Sequence, residues 1–257
     1  MISKTGAGKI PETVKIPGGR FLMGSPRNHY EGPVREVTVE GFEIGKYSVT
    51  REEFRHYLWA NQKPIPAELN DQSTARHPVT NVDWISVGRY CNWLKKMTGQ
   101  AWRPLREAEW EFAARGTEGF NLPWGQFPEL LLFDALLDKL YQRREHIIGT
   151  ESVDARSDAA SPFGVHYMIG NVWEMLADRY QPSYDPNDVV NPVGPEKGTH
   201  RVLRGGNLGI FLNIFETKAE SKQNIYPFNY MVALTSRFTI TGLPSQEIGF
   251  RVGKDIG

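Results

Sequence analysis

The sequence predicts an α+β fold: a small antiparallel sheet, flanking helices and much irregular loop. Three observations predict it. Short strand-like runs sit near both ends of the chain with helical periodicities between them, an order that lets the two ends pair in one antiparallel sheet. Gly and Pro number 25 and 17 and are spread along the chain; their share exceeds the roughly 12% of ordinary proteins, so turns recur throughout. With 257 residues, 40% of them hydrophobic and 23% charged, the chain has ample material for a core and is not a disordered polymer.

In chain order, Thr13–Ile16 and Gly19–Met23 read as strands on either side of the turn pair Pro17-Gly18. Arg35–Val39 alternates apolar and polar residues and leads into Phe42–Tyr47. A helix is predicted from Thr50 to about Gln62. There Thr50 and Glu53 form a capping box, the hydroxyl accepting from the third amide while the carboxylate reaches back. A second helix follows the N-cap Asp83, places Trp84, Val87, Tyr90, Cys91, Leu94 and Met97 on one face, and stops at Gly99. A third runs from Glu107 to Arg115, with Trp110, Ala113 and Ala114 inward. Its N-cap position is Arg106, which lacks a capping hydroxyl at a cost of about 1 kcal/mol. A fourth is predicted over Pro128 to Arg144, where leucines crowd one side. Pro182 to Gly198 is a long loop, and Arg201–Leu203 and Gly249–Val252 are late strands. So much loop calls for a staple, either metal ions or trapped water. Residues 1–9 read as a tail and 10–254 as a single domain.

Composition excludes several function classes. Lys plus Arg and Asp plus Glu are 30 each, which gives no basic face for nucleic acid. The start has no apolar stretch of the kind a secretory signal needs. No run of about 18 apolar residues exists to span a membrane. The expectation is a cytoplasmic protein with neither nucleic acid nor membrane as partner. The single Cys91 precludes an intrachain disulfide and a multi-cysteine zinc site, and reads as a small buried hydrophobe. His29 and Glu31 suggest part of an iron site, but the pair sits in a turn with no second His nearby. His166 reads as structural. No nucleophile elbow, zinc-protease helix or phosphate loop is present.

Several strings carry a resemblance. They are Ile16-Pro17-Gly18-Gly19-Arg20-Phe21-Leu22-Met23-Gly24-Ser25, His77-Pro78-Val79-Thr80-Asn81-Val82-Asp83-Trp84, Glu107-Ala108-Glu109-Trp110-Glu111-Phe112-Ala113-Ala114-Arg115-Gly116, Gly170-Asn171-Val172-Trp173-Glu174, Arg201-Val202-Leu203-Arg204-Gly205-Gly206 and Ile248-Gly249-Phe250-Arg251-Val252. In order and spacing, from about Ile10 to Val252, the chain resembles the formylglycine-generating enzyme, or sulfatase-modifying factor, family. The resemblance implies a fold related to that of C-type lectins. In sulfatase-activating members it also implies copper held by two cysteines just after the Gly-Gly pair. The matching positions here are Ile210 and Phe215, which have no thiolate for soft Cu(I). No copper is therefore expected, and no formylglycine-generating oxidase activity.

The resemblance further implies structural calcium at the Gly170 and Val172 carbonyls and the Glu174 carboxylate, since calcium takes six to eight hard oxygens. The ligand expected three residues before Gly170 is Tyr167, a poor one. The alternative is that Glu174 caps a turn and Trp173 fills the core. A second calcium site, expected between Trp124 and Phe163, does not align.

Segment 207–236 occupies the place of the family's active site, and in relatives lacking the cysteines, among them diversified variable proteins, this region faces ligand. Asn207, Leu208, Ile210, Phe211, Asn213, Phe215, Tyr226, Phe228, Tyr230 and Arg237 are the candidate ligand-binding residues, because aromatics on a rigid scaffold suit a binding surface. The same apolar residues equally suit core, an extra strand, or contact within a homo-oligomer or larger assembly. The expected function is a non-catalytic module that binds a protein or small-molecule ligand. The alternatives are an oxidoreductase acting on a peptide or small molecule without the cysteine pair, and a structural subunit.

Overall fold

The computed structural model describes residues 9–26, 29–126, 149–156, 160–206 and 237–256. The predicted helix over Pro128 to Arg144 and segment 207–236 lie outside them. Strands β1 (Thr13–Ile16), β4 (Phe42–Gly45), β10 (Val252–Asp255) and β5 (Trp102–Pro104) form one antiparallel sheet in the order β1-β4-β10-β5. The early and late strands thus share a sheet, as their placement predicts, with β4 between them. Strands β2 (Gly19–Met23) and β3 (Arg35–Val39) make a separate antiparallel pair. A third sheet has the order β8-β7-β6-β9 and comprises β6 (Trp173–Arg179), β7 (Arg201–Arg204), β8 (Phe238–Ile240) and β9 (Ile248–Gly249). In it only β6 and β9 run parallel.

The helices follow their local signals. In α1 (Arg51–Ala60) the Thr50 hydroxyl accepts from the Glu53 amide at 3.2 Å and Glu53 accepts from the Thr50 amide at 2.8 Å, a complete capping box. Helix α2 (Trp84–Thr98) starts where Asp83 accepts from the Ser86 amide at 2.7 Å and ends at Gly99 with φ 71°, a left-handed position that glycine tolerates. Its Val87, Tyr90, Cys91 and Leu94 are buried, and Trp93 joins them; Met97, assigned to that face from the sequence, is exposed. Helix α3 (Glu107–Arg115) is buried from Glu107 to Ala114, three glutamates included.

Two apolar cores result. One packs α3 residues Trp110 and Phe112 between the β2–β3 pair and the sheets carrying Ile44, Leu176 and Val202. The other gathers α1, α2 and the chain end around Tyr57, Tyr90, Trp93 and Phe250, with Tyr90 and Phe250 edge-on at 5.5 Å. The run Gly249–Val252, one strand by its sequence, is split. Gly249 ends β9 in one sheet and Val252 begins β10 in another, and the buried Phe250 and Arg251 form the corner. Pro182 to Gly198 contains no helix or strand, as its composition predicts.

Candidate binding site

The loop-rich sequence calls for metal ions or trapped water as a staple; what the described residues place between α3 and β7 is a layer of buried charge. Glu107 and Glu111 lie one turn apart on α3 and face Arg204 on β7. Arg204 donates to Glu107 at 3.1 Å and to Glu111 at 2.6 Å, and its side chain is fully buried. Glu111 also takes Arg115 at 2.6 Å and the Gly24 amide at 2.8 Å. Burial disfavours its carboxylate, but Arg204 and Arg115 outweigh that and hold its pKa below the usual range. Arg237 completes the layer. It forks onto both oxygens of Glu107 at 2.8 Å, donates to the carbonyls of Tyr30 and Gln181 at 3.1 Å, and stacks on Tyr184 at 4.2 Å. The sequence places Arg237 among the ligand contacts. The structure makes it a buried anchor, because its planar fork matches a buried carboxylate that is shared between two guanidiniums.

The layer has a consequence for segment 207–236. Arg204 precedes the Gly205-Gly206 exit of that segment, Arg237 follows its return, and both hold the Oε1 atom of Glu107. Gly205 and Gly206 have φ of 93° and 87°, a region that disfavours side chains. The pairing of Leu203 with Phe238 closes the base of the segment. The other candidate ligand residues, Asn207, Leu208, Ile210, Phe211, Asn213, Phe215, Tyr226, Phe228 and Tyr230, lie outside the described residues.

Asp178 supplies what Arg106 lacks. From β6 its Oδ2 accepts the Glu107 amide at 2.7 Å, capping α3 from a distant part of the chain, while Glu109 accepts from the Arg106 amide at 2.9 Å. Burial, with the charge of Glu107 next, pushes the Asp178 pKa up to about 8. Asp178, Arg35, Tyr184 and Arg237 line a cavity of about 10 Å³, close to the size that holds a single water. Arg35 is buried over the Tyr184 ring at 4.0 Å, and among the described residues its Nη1 has no hydrogen-bond partner.

A raised carboxyl pKa means that the folded state keeps a proton the unfolded chain releases between about pH 4 and pH 8. Stability from this group is present at low pH and is lost as pH rises through the folded value. Asp178→Asn keeps the amide acceptor without the charge. Its melting temperature relative to the parent is expected to climb by several degrees between pH 5 and pH 9. A constant difference across that range, measured by thermal unfolding, would show that Asp178 is ionised throughout.

The loop of Gly170, Asn171, Val172, Trp173 and Glu174 feeds β6. Of its three expected calcium ligands, the Gly170 carbonyl accepts from the Val172 amide at 2.9 Å, and Glu174 is otherwise engaged. Arg251 donates to its carboxylate at 2.7, 3.0 and 3.1 Å, Ser48 at 2.7 Å and the Trp110 indole at 2.8 Å. Both oxygens are occupied by donors and the neighbouring charge is already positive, so the residues present do not fit calcium at this carboxylate. Trp173 is largely buried and Glu174 is 1% exposed, closer to the alternative reading of core and local bracing. Among the described residues no group of three or more His, Cys, Asp or Glu is arranged to hold a metal, and His29 and Glu31 share the short 3-10 turn His29–Glu31. His166 is buried and its Nδ1 lies 3.1 Å from the Arg156 carbonyl. Cys91 does not fit copper, because it is buried in the second core and burial pushes its thiol pKa up to about 12, far from the thiolate that a soft metal needs.

Comparison with known proteins places this geometry. The family described as the sulfatase-modifying factor enzyme 1-like domain matches residues 1–256. The inactive C-alpha-formylglycine-generating enzyme 2 of Bos taurus is 30% identical over 228 residues, covering 68% of this chain and 73% of that protein. The serine/threonine-protein kinase pkn1 of Chlamydia caviae is 28% identical over 221 residues, covering 76% of this chain but 32% of that protein; the chain thus spans about a third of that relative's length. Among solved structures, PvdO from Pseudomonas aeruginosa superposes with a TM-score of 0.71 at 26% identity, covering 96% of this chain and 95% of the other. Treponema denticola variable protein 1 shares the fold with a TM-score of 0.70 at 19% identity, covering 95% of each chain. From the match across residues 1–256 and the agreement in fold, the chain belongs to the sulfatase-modifying factor enzyme 1-like domain family, with its C-type-lectin-like architecture.

Proposed function

We propose that this protein is a non-catalytic binding module that takes a protein or small-molecule ligand on segment 207–236. One observation carries the reading: the chain cannot assemble the family's copper site. By sequence position Ile210 and Phe215 replace the two thiolates, and the one cysteine, Cys91, is buried in the second core. The relative in Bos taurus named inactive is in keeping with such a loss. Kinase activity is not part of the proposal, since the chain spans about a third of the pkn1 relative and carries no phosphate loop. The buried layer of Glu107, Arg204 and Arg237 gives segment 207–236 a braced base, which lowers the cost of ordering a binding surface.

The test has two arms. With copper present, the protein is expected to leave a Cys-x-Pro-x-Arg peptide unconverted to formylglycine; turnover above a blank overturns the proposal. Phe211→Ala, Asn213→Ala, Tyr226→Ala and Tyr230→Ala are expected to keep the melting temperature and lose partner capture. Core aromatics would instead cost about 3–5 kcal/mol each, and a set that all unfolds would identify the segment as core.

A further inference from the structure

We propose that a protein-only clamp, built from Glu151, Arg156, Tyr167 and Asn171, holds the 166–174 loop in this chain, so that the loop needs no calcium. The inference is independent of what segment 207–236 binds. It starts from the backbone. Tyr167, Gly170 and Asn171 have φ of 52°, 88° and 65°. Three left-handed positions within five residues, one of them a tyrosine, persist only when their surroundings hold them. In this chain Glu151 provides the hold. The Tyr167 hydroxyl donates to its Oε2 at 2.8 Å, the Arg156 Nε donates to the same oxygen at 2.7 Å, and Arg156 Nη2 donates to the other. The Glu151 amide donates to Asn171 Oδ1 at 2.9 Å, and Asn171 Nδ2 returns a bond to the Glu151 carbonyl at 3.2 Å. Side chain and backbone of one residue thus grip both ends of the strained stretch. The Arg156 carbonyl meets His166 Nδ1 at 3.1 Å, which ties the segment before the loop as well.

The clamp accounts for the departure at Tyr167. A tyrosine is too long to be a good metal ligand from that position, but its hydroxyl reaches Glu151. The positive charge comes from Arg156, and on the other side of the loop from Arg251, which fills the Glu174 carboxylate. Two guanidiniums therefore stand where an oxygen-bound cation would have to compete. The loop's Gly170 amide donates to the Gly205 carbonyl at 3.4 Å, so the clamp also supports the exit of segment 207–236.

The experiment uses the full chain. The parent protein is expected to melt at the same temperature in EGTA and in millimolar calcium chloride, and to carry no stoichiometric calcium by elemental analysis. A rise of more than about 3 °C with calcium, or one equivalent bound, overturns the proposal. Tyr167→Phe removes one oxygen and Glu151→Gln one charge. Each is expected to lower the melting temperature, and the double variant to lower it by less than the sum, because both act on one carboxylate. No loss, or strictly additive losses, also overturns it. Tyr167→Phe keeps the measurement readable should Glu151→Gln fail to fold.

Discussion

Glu174→Gln is expected to destabilise the protein by about 3–5 kcal/mol, enough to remove much of the stability of an ordinary domain. The expectation follows from what the carboxylate neutralises. Arg251 is fully buried, and its remaining donors go to the Gly45 carbonyl at 2.8 Å and the His166 carbonyl at 2.7 Å. Those carbonyls accept hydrogen bonds but carry no charge. Removing the carboxylate leaves a guanidinium in a low-dielectric core, where solvation does not replace the lost partner. The junction also ties four parts of the chain together: β6 through Glu174, α3 through Trp110, the turn after β4 through Ser48, and the corner between β9 and β10 through Arg251. Urea unfolding measures the cost. Glu36→Gln is the control, because its pair with Arg20 is solvent-exposed at both ends and exposed pairs contribute about 0–1 kcal/mol. A Glu174→Gln cost no larger than the control's would remove the junction from the account of stability.

Glu107→Gln is expected to cost a comparable 3–5 kcal/mol, roughly, and, in addition, to loosen the base of segment 207–236. Glu107 neutralises Arg237 through two bonds and shares Arg204 with Glu111. Its loss leaves Arg237 buried with only carbonyl acceptors. Arg237→Lys should not be a mild change either, since an ammonium cannot reproduce the fork onto both oxygens or the stack on Tyr184. In a double-mutant cycle the pair Glu107→Gln and Arg237→Met should couple by more than about 1 kcal/mol. Hydrogen exchange of the β7 and β8 amides supplies the second readout: faster exchange there in Glu107→Gln, with α1 unchanged, is the expected pattern. Uniform acceleration across the chain would assign Glu107 to global stability alone.

Much of the fold was legible because its signals are local. A capping box needs only Thr50 and Glu53, and a helix stop needs only Gly99. The strand β3 shows its alternation within five residues. Strand β6 carries no readable sequence signal because it is buried on nearly all positions from Trp173 to Asp178, so it has no period of two. Strand β5 spans only Trp102–Pro104, too short for any period. Residues 249–252 read as one strand because the corner between β9 and β10 is made of two fully buried residues, Phe250 and Arg251, which in the sequence look like strand interior.

The candidate site divides along the same line. By itself the sequence determined the family, the missing thiols at 210 and 215, the three main helices with their starts and stops, and the position of segment 207–236 between two framework strings. Only the tertiary structure decided which charges are buried together. Asp178 caps a helix far earlier in the chain, Arg237 anchors on Glu107 where the sequence offered it to a ligand, and Glu174 serves Arg251 where the resemblance offered it to calcium. The physical reason is range. Capping and periodicity act over a few residues and leave a mark on neighbouring letters. The partner of a buried charge is set by which groups lose water in the same place, and that depends on how strands and helices distant in the chain are packed against one another.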